Sequence, residues 1–320
     1  KLFKTGFNTG HGHLREPKDI RSYAALAAIA IQSNQNDQHG GQSVPNFDYA
    51  MANGVRITYR KAYLSNMVKA LMLFTGKEEE EIMPIVKKLH SEMAEMGMVA
   101  TLVPNEKFVE TEARELSKTF DTEIVMKSQK FAEKQAYEET DKATFQAMEA
   151  FVHNLNSMHS RAGAQTPFSS INYGMCTDPE ARMVMRNLLL TTDEGLGGGE
   201  TAIFPIQIFR VKKGVNLNEG DPNYDLFKLA CKGTELFDPV QFTAFSQGPR
   251  PGKDRRNGIC RGVMAFEIPV IMALDRAVGC LIFIGSGGGN QDRCHHRQGA
   301  KGGRDHIAHH IAVIVLAGPD

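Results

Sequence analysis

A strand–helix–strand pattern in the second half of the chain is the feature that most constrains its fold. The strings "TPFSSINYG" and "TAIFPIQIFRV" are short, rich in β-branched and aromatic residues, and bounded by Gly and Pro, which is typical of β-strands. Between them, "DPEARMVMRNLLLTTDE" is amphipathic at helical spacing, with Asp178 as its N-cap and Pro179 as its first residue. Because one helix separates two strands, the pattern predicts a parallel βαβ unit with a right-handed crossover.

The first half of the chain has a different pattern, that of helices. Residues 19–33 are Ala-rich and apolar at helical spacing, and the spacing recurs from Tyr59 onward and through residues 106–158. We therefore predict at least four helices, the last ending near His159. A further capped helix is expected to begin near Asp221, in "GDPNYDLFKLAC". Helices followed by βαβα predict the α/β class, as a barrel or an open sheet with a helical elaboration.

Composition excludes several classes of protein. Lys plus Arg and Asp plus Glu are both 37, so the net charge gives no reason to expect a nucleic-acid partner. No apolar run approaches the roughly 18 residues that a membrane span needs, and the first residues have no apolar signal core. The five cysteines contain no CxxC pair and are expected to be reduced. These features predict a cytoplasmic protein, and the missing initiator Met suggests a chain that starts partway through its gene.

Two glycine-rich strings could bind an anion, and each has a simpler interpretation. "VGCLIFIGSGGGN" lacks the G-x-G-x-x-G spacing and a following helix, so a plain loop is favoured over a nucleotide site. "GLGGGE", at Gly195–Glu200, joins a helix to a strand, where Gly more often ends the helix. Near the N-terminus, His11 and His13 lie close to two cations, but a solvated loop is again favoured over an anion contact.

Two polar segments leave their interpretation more open. The last part of the chain offers several metal-ligating side chains in a short window, but without helical periodicity, so an irregular tail is favoured over a metal site. These are Cys294, His295, His296, His306, His309 and His310. In "SNQNDQHGGQS", Ser33–Ser43, the many amides must use their donors and acceptors. They could bond one another, or bind a polar ligand or a partner subunit.

Four long strings together resemble one known family. They are "GHGHLREPKDIRSYAALAAIAIQSNQNDQHGGQSVPNFDYAMA", "AMEAFVHNLNSMHSRAGAQTPFSSINYG", "ETAIFPIQIFRVKKGVN" and "GDPNYDLFKLAC". The chain resembles the anaerobic (class III) ribonucleoside-triphosphate reductases, collinearly from Lys1 to about Lys232. Strings as specific as "QSNQNDQHGGQS" are not explained by a shared fold alone.

The resemblance implies a fold and a chemistry. The fold would be a partial ten-stranded α/β barrel of the glycyl-radical enzyme type with a helical N-terminal half, in a homodimer. The activity would be reduction of ribonucleoside triphosphates to deoxyribonucleoside triphosphates, with a deoxynucleoside triphosphate or ATP as effector. The cofactor would be a glycyl radical, made by a partner activase with an iron–sulfur cluster and S-adenosylmethionine. A thiyl radical on a cysteine would then attack the ribose, and the full-length family also holds zinc.

The resemblance also implies roles for particular residues. Glu16, Lys18 and Lys61 match the region that binds the allosteric nucleotide, Lys being suited to phosphate. Gln165, Ser169 and Asn172 would lie on a barrel strand near the substrate. "NGICRGVM" is similar to the family's thiyl-cysteine loop, which makes Cys260 the candidate catalytic residue.

Departures from the family predict an incomplete protein. The cysteine of the first barrel strand, the four-cysteine zinc module and the glycyl-radical loop are not found in the sequence. We therefore assign residues 1–232 to a partial catalytic domain, helical over 1–160 and with barrel strands and helices over 161–232. Residues 233–320 are unassigned, and their Gly, Arg and His bias suggests a shifted reading frame or a disordered tail. The chain is expected to be an inactive fragment, and the alternatives are a nucleotide-binding and dimerisation fragment or a His-rich metal-binding protein.

Overall fold

A computed structural model describes residues 12–37, 40–159, 165–234 and 240–244, together with Phe3 and Phe7–Asn8. The helices are α1 (Ile20–Asp37), α2 (Phe47–Thr75), α3 (Glu79–Glu95), α4 (Glu106–Leu116), α5 (Thr122–Ser157), α6 (Pro179–Glu194) and α7 (Tyr224–Thr234). The strands are β1 (Phe7–Asn8), β2 (His13–Leu14), β3 (Gln42–Val44), β4 (Ser169–Tyr173), β5 (Ile206–Val211) and β6 (Val240–Ala244). Lys1–Thr243 forms one compact unit, and nearly all of the second unit, Ala244–Asp320, lies outside the described residues.

The predicted helical half is confirmed, since five helices, α1 to α5, precede β4. The short strand β3 lies between α1 and α2. The long helices α2 and α5 run through two apolar clusters. One cluster joins α1, α2, α5 and α6 to the sheet, and the other joins α2 and α5 to α3 and α4. Within the described part of the chain, no helix combines the length and the apolar character needed to cross a bilayer.

The larger sheet has the order β3-β4-β5-β6, which is also the order of its strands along the chain. β3 pairs with β4 and β4 pairs with β5, both in parallel. The predicted βαβ unit is therefore confirmed as β4-α6-β5. Strands that follow one another in space and are joined by helices belong to the α/β class. The described residues show a four-stranded portion of sheet, and a ten-stranded barrel is not shown by them.

Helix ends follow the sequence in one case and depart from it in another. α6 has Asp178 at its N-cap, Pro179 in its first turn and Gly195 at its C-cap with a φ of 74°. The predicted helix α7 is present, but it begins at Tyr224, three residues after the expected start near Asp221. The Asp221 carboxylate instead accepts hydrogen bonds from the backbone N–H groups of Leu217 and Asn218, at 3.0 and 2.9 Å, and so closes the turn before the helix.

The two faces of the sheet differ in character. Ile171 and Tyr173 on β4, with Phe209 on β5, face the helices and belong to the apolar cluster there. The opposite face carries Ser170 and Asn172, which are half-buried, and the register places Ile206 and the buried Ile208 of β5 beside them. Because side chains alternate along a strand, this second face mixes polar and apolar side chains.

Candidate functional site

The predicted effector-site residues Lys18 and Lys61 are brought together by the structure. The Nζ of Lys61, on α2, donates a hydrogen bond to the backbone oxygen of Lys18 at 2.7 Å. Both lysines are exposed, as is Glu16 two residues earlier in the chain. Positions that are 43 residues apart in sequence therefore form one exposed patch in front of α1.

This patch is positioned by the start of α1. Ser22 donates its backbone N–H to the Asp19 carboxylate at 2.8 Å, which caps the helix. Although partial burial opposes the effect, hydrogen bonds from Ser22 and the charge of Lys61 lower the pKa of Asp19. The Lys61 ammonium thus lies in the field of a carboxylate that stays ionised at neutral pH.

A close helix crossing fixes the distance between the two lysines. The backbone N–H of Ile20 donates to Thr58 Oγ1 on α2 at 2.9 Å, and the same hydroxyl donates to the Gly54 carbonyl at 2.8 Å. A Cβ added at Gly54 would lie 3.0 Å from the Tyr23 ring and 3.1 Å from the Ile20 Cα. The glycine lets α1 approach α2 closely enough for Lys61 to reach Lys18.

The three predicted strand residues do not share one surface. Ser169 is 3% exposed and faces the helices, and its Oγ has no hydrogen-bond partner among the residues that the structure describes. Asn172 lies on the opposite face and donates to Ser43 Oγ at 2.9 Å. Gln165 precedes β4 and is half-buried. Ser169 and Asn172 therefore cannot line the same wall, because residues three apart on a strand point to opposite faces.

A row of polar side chains replaces that grouping. It consists of Ser43 on β3, Ser170 and Asn172 on β4, and Arg210 on β5, and we call it the polar row. The register aligns Ser43 with Ser170, and Asn172 with Ile208, so these side chains project from the same face. Sequence reasoning missed Ser43, Ser170 and Arg210. The alternation of "SSINY" was the signal that could have found Ser170.

A buried carboxylate orders the turn that follows β4. Asp48, in the first turn of α2, is 0% exposed. Its Oδ2 accepts from the backbone N–H groups of Gly174, Met175 and Cys176, at 3.1, 3.0 and 2.9 Å. The amide side chains of Asn216 and Asn223 donate to the Gly174 carbonyl at 2.8 and 3.2 Å. The carboxyl end of β4 is thus held by three side chains from two other parts of the chain.

Two of the five cysteines, Cys176 and Cys231, lie among the described residues. Burial raises the pKa of the Cys176 thiol to about 11, and the side chain is 2% exposed. Cys231, on α7, is half-buried. Cys260, predicted as the catalytic residue, lies outside the described residues, as do the glycine-rich "VGCLIFIGSGGGN" and the His-rich segment. No group of three or more His, Cys, Asp and Glu side chains that could hold a metal ion occurs in the described ranges.

The amide-rich segment bonds within the chain. Asn34 donates to Gln42 Oε1 at 3.0 Å, and Gln42 donates to the Ile31 carbonyl at 2.8 Å. Gln35, which is 3% exposed, donates to the Thr166 carbonyl at 3.1 Å. The amides therefore join the end of α1 to β3 and to the entry of β4, in agreement with the first of the two open interpretations.

Parallel strands joined by helices, with polar groups beyond their carboxyl ends, define an α/β protein whose ligand site is expected at that edge of the sheet. Comparison with known families identifies the family of this α/β protein. The family described as anaerobic ribonucleoside-triphosphate reductase matches residues 1–288, and the chain belongs to this family. The match continues past Lys232, where the resemblance read from the sequence ends.

Curated relatives with the same name agree with this assignment. The chain is 36% identical over 242 residues to the anaerobic ribonucleoside-triphosphate reductase of Escherichia coli (strain K12), covering 75% of this chain and 26% of the relative. It is 27% identical over 242 residues to that of Enterobacteria phage T4, covering 75% of this chain and 30% of the relative. The chain thus matches between about a quarter and a third of the length of these relatives.

Proposed function

We propose that this chain is part of an enzyme that reduces ribonucleoside triphosphates to 2′-deoxyribonucleoside triphosphates without oxygen. The observation that carries the proposal is the family match over residues 1–288. The structure supports it because the strings that resemble the family form the sheet and the hydrogen bonds that connect it to α1. The amides of Ser33–Ser43 bond across to β4, and "SSINYG" supplies β4 and its ordered turn.

The sheet supports a barrel interior as the substrate site. Parallel sheets are normally covered on both faces, and here one face is covered by helices. The other face carries the polar row beside Ile206 and Ile208 of β5, so it offers hydrogen-bonding groups for a polar ligand next to an apolar surface. We infer that β3 to β6 are consecutive strands of a partial ten-stranded α/β barrel and that Asn172 faces its interior, with Gln165 near the entry of β4.

The patch formed by Glu16, Lys18 and Lys61 is proposed as the effector site. Two exposed ammonium groups would bind the phosphates of a deoxynucleoside triphosphate or ATP, and the Glu16 carboxylate would accept from the ribose or base. Lys61 would exchange its bond to the Lys18 carbonyl for bonds to phosphate oxygens. The same helices, α1 and α2, are proposed to pack across a homodimer.

The radical chemistry is proposed to depend on groups outside the described residues. A glycyl radical, generated by an activase with an iron–sulfur cluster and S-adenosylmethionine, would supply the unpaired electron, and Cys260 is the candidate for the thiyl residue. Since Cys176 is buried in an ordered turn and the described residues offer no metal cluster, we derive no step through zinc or through these thiols. We propose that the chain by itself does not turn over.

Two measurements test this function. The chain is incubated anaerobically with the activase, S-adenosylmethionine, formate and a ribonucleoside triphosphate, and deoxynucleotide is measured. Formation of deoxynucleotide in this mixture would refute the claim that the chain is inactive. Calorimetric titration with a deoxynucleoside triphosphate, repeated with Lys61→Met, tests the effector site. We expect binding that the substitution weakens about tenfold, since one charge-assisted contact is lost. Zinc at one equivalent per chain would instead favour the metal-binding alternative.

A further inference from the structure

Asn46 has a geometry that its place in the sequence does not require. It is the N-cap of α2, yet its side chain makes no capping hydrogen bond, although Asn at this position usually accepts one. Its backbone lies in the left-handed region, with φ 56° and ψ 44°, and no other described non-glycine residue has a positive φ. Its Oδ1 instead accepts a hydrogen bond from Arg210 Nη1 at 2.6 Å.

The Asn46–Arg210 contact spans the end of the middle strand. Asn46 follows β3 and Arg210 lies on β5, so the contact passes over the carboxyl end of β4, which lies between them. At this level lies Gly174, the residue directly after β4, where an added Cβ would lie 2.7 Å from the Arg210 carbonyl oxygen. A guanidinium group is therefore held at the edge of the sheet, beside the polar row and where ligands of α/β proteins bind.

The charges around this position favour an anion. α2 and α6 both begin just beyond the carboxyl ends of parallel strands, so the positive ends of their dipoles meet there. Two carboxylates of the described residues near these helix starts are already engaged: Asp48 accepts three backbone N–H groups of the β4 turn, and Asp178 pairs with Arg56 at 2.5 Å. The guanidinium group adds a full positive charge with planar donors that match a phosphate group.

We propose that Arg210 binds the phosphate groups of a nucleoside triphosphate and that Asn46 is a positioning residue that fixes the guanidinium for this contact. Ser43, Ser170 and Asn172 then lie along the sheet from the phosphates and provide hydroxyl and amide groups for the sugar. The inference rests on the proposed function, because the substrate of that function supplies the identity of the anion.

Calorimetry with cytidine triphosphate and with cytidine tests the role of Arg210. Arg210→Met is expected to raise the Kd for the triphosphate by at least about tenfold, and to leave any affinity for cytidine unchanged, because one charge-assisted phosphate contact is removed. The matched control is Lys213→Met, which removes one positive charge from an exposed position three residues along the chain. This control is expected to change the Kd by less than about twofold, as a screened surface charge should.

Two substitutions separate the side chain of Asn46 from its backbone. Asn46→Gly fits the left-handed conformation and removes the acceptor, so it should weaken triphosphate binding about threefold or more without lowering the melting temperature. Asn46→Asp keeps an acceptor for Arg210 but sets a carboxylate against the phosphates, and it should weaken binding further. Unchanged affinity in both variants would overturn the positioning role.

The outcomes distinguish this inference from the proposed function. If the unsubstituted chain binds no cytidine triphosphate, the proposed function and the inference fall together. If it binds and Arg210→Met binds equally well, only the inference is overturned. Equal losses in Arg210→Met and Lys213→Met would also overturn it, since general electrostatics would then account for the effect. A loss confined to Arg210→Met, in a variant that melts like the unsubstituted chain, supports it.

Discussion

Asp48, in the first turn of α2, is expected to be the most sensitive polar contact to the turn after β4, and Asp48→Asn tests this. The two side chains have nearly the same shape, so the change creates no cavity. It replaces a carboxylate by an amide whose NH2 group faces backbone donors. The amide oxygen can take the place of Oδ2, so the N–H groups of Gly174, Met175 and Cys176 keep an acceptor but lose its charge. The NH2 group then faces the Tyr49 backbone N–H, which donates to Oδ1 at 3.0 Å and loses its acceptor.

The magnitude follows from the number and burial of these bonds. A hydrogen bond to a charged group contributes roughly 1.5–3 kcal/mol, and a buried donor without a partner costs about 1–3 kcal/mol. With Asp48 0% exposed, water cannot replace the lost acceptor. We therefore expect the free energy of unfolding to fall by about 3 kcal/mol, a value that only a few mechanisms produce in a point substitution.

Urea denaturation followed by circular dichroism measures this change. The midpoint should fall while the slope stays the same, because the substitution alters stability and not the surface exposed on unfolding. Asp193→Asn, at an exposed position on α6, is the control with the same chemical change, and it should stay within about 0.5 kcal/mol. A loss below about 1 kcal/mol for Asp48→Asn would refute the reasoning, since the turn after β4 would then be ordered by other contacts.

Three further substitutions or labels test other parts of the structure. Gly54→Ala should lower the free energy of unfolding by about 1–3 kcal/mol in thermal denaturation, because its Cβ would force α1 away from α2. Glu112→Gln should lower it by about 2–4 kcal/mol in urea, because the 0% exposed carboxylate accepts from Tyr63 and Gln129 and contacts His90 at 2.5 Å. A pKa of about 11 leaves about one Cys176 thiol in a thousand ionised at pH 8, so native alkylation followed by mass spectrometry should label it only after unfolding.

Local chemistry explains what could be predicted from the sequence. The Asp-Pro start of α6 and the glycine at its end are short-range signals, and the helix runs between them as expected. The start of α7 lies beyond the predicted one because Asp221 has the residue type of an N-cap but does not cap the helix. Its carboxylate accepts instead from the backbone N–H groups of Leu217 and Asn218 in the preceding turn. The amide segment was left open because its partners Ile31 and Thr166 are contacts of the folded chain.

The positions that the sequence did not predict depend on contacts between distant segments. Arg210 and Asn46 are 164 residues apart, and only the strand order brings them together. In the sequence, Asp48 is an ordinary acidic residue in the first turn of a helix. It is buried because it bonds to the turn of Gly174 to Cys176, which lies 126 to 128 residues later in the chain. The alternation of side chains along β4 could have predicted that Ser169 and Asn172 lie on opposite faces of the sheet. It could not have predicted which of these faces the helices cover.

α2 connects the two proposed nucleotide sites. Its first turn carries Asp48, which is bonded to the β4 turn, and Lys61 lies thirteen residues further on, about 20 Å along the axis at 1.5 Å per residue. Contacts fix the helix at both points, at the sheet through Asp48 and at α1 through Thr58. A substitution that frees its N-terminal end should therefore disturb binding at both sites, whereas Lys61→Met should affect the effector patch and Arg210→Met the polar row. Since residues so far apart contribute additively unless a shared element moves, any non-additive loss in the double variant measures coupling through α2.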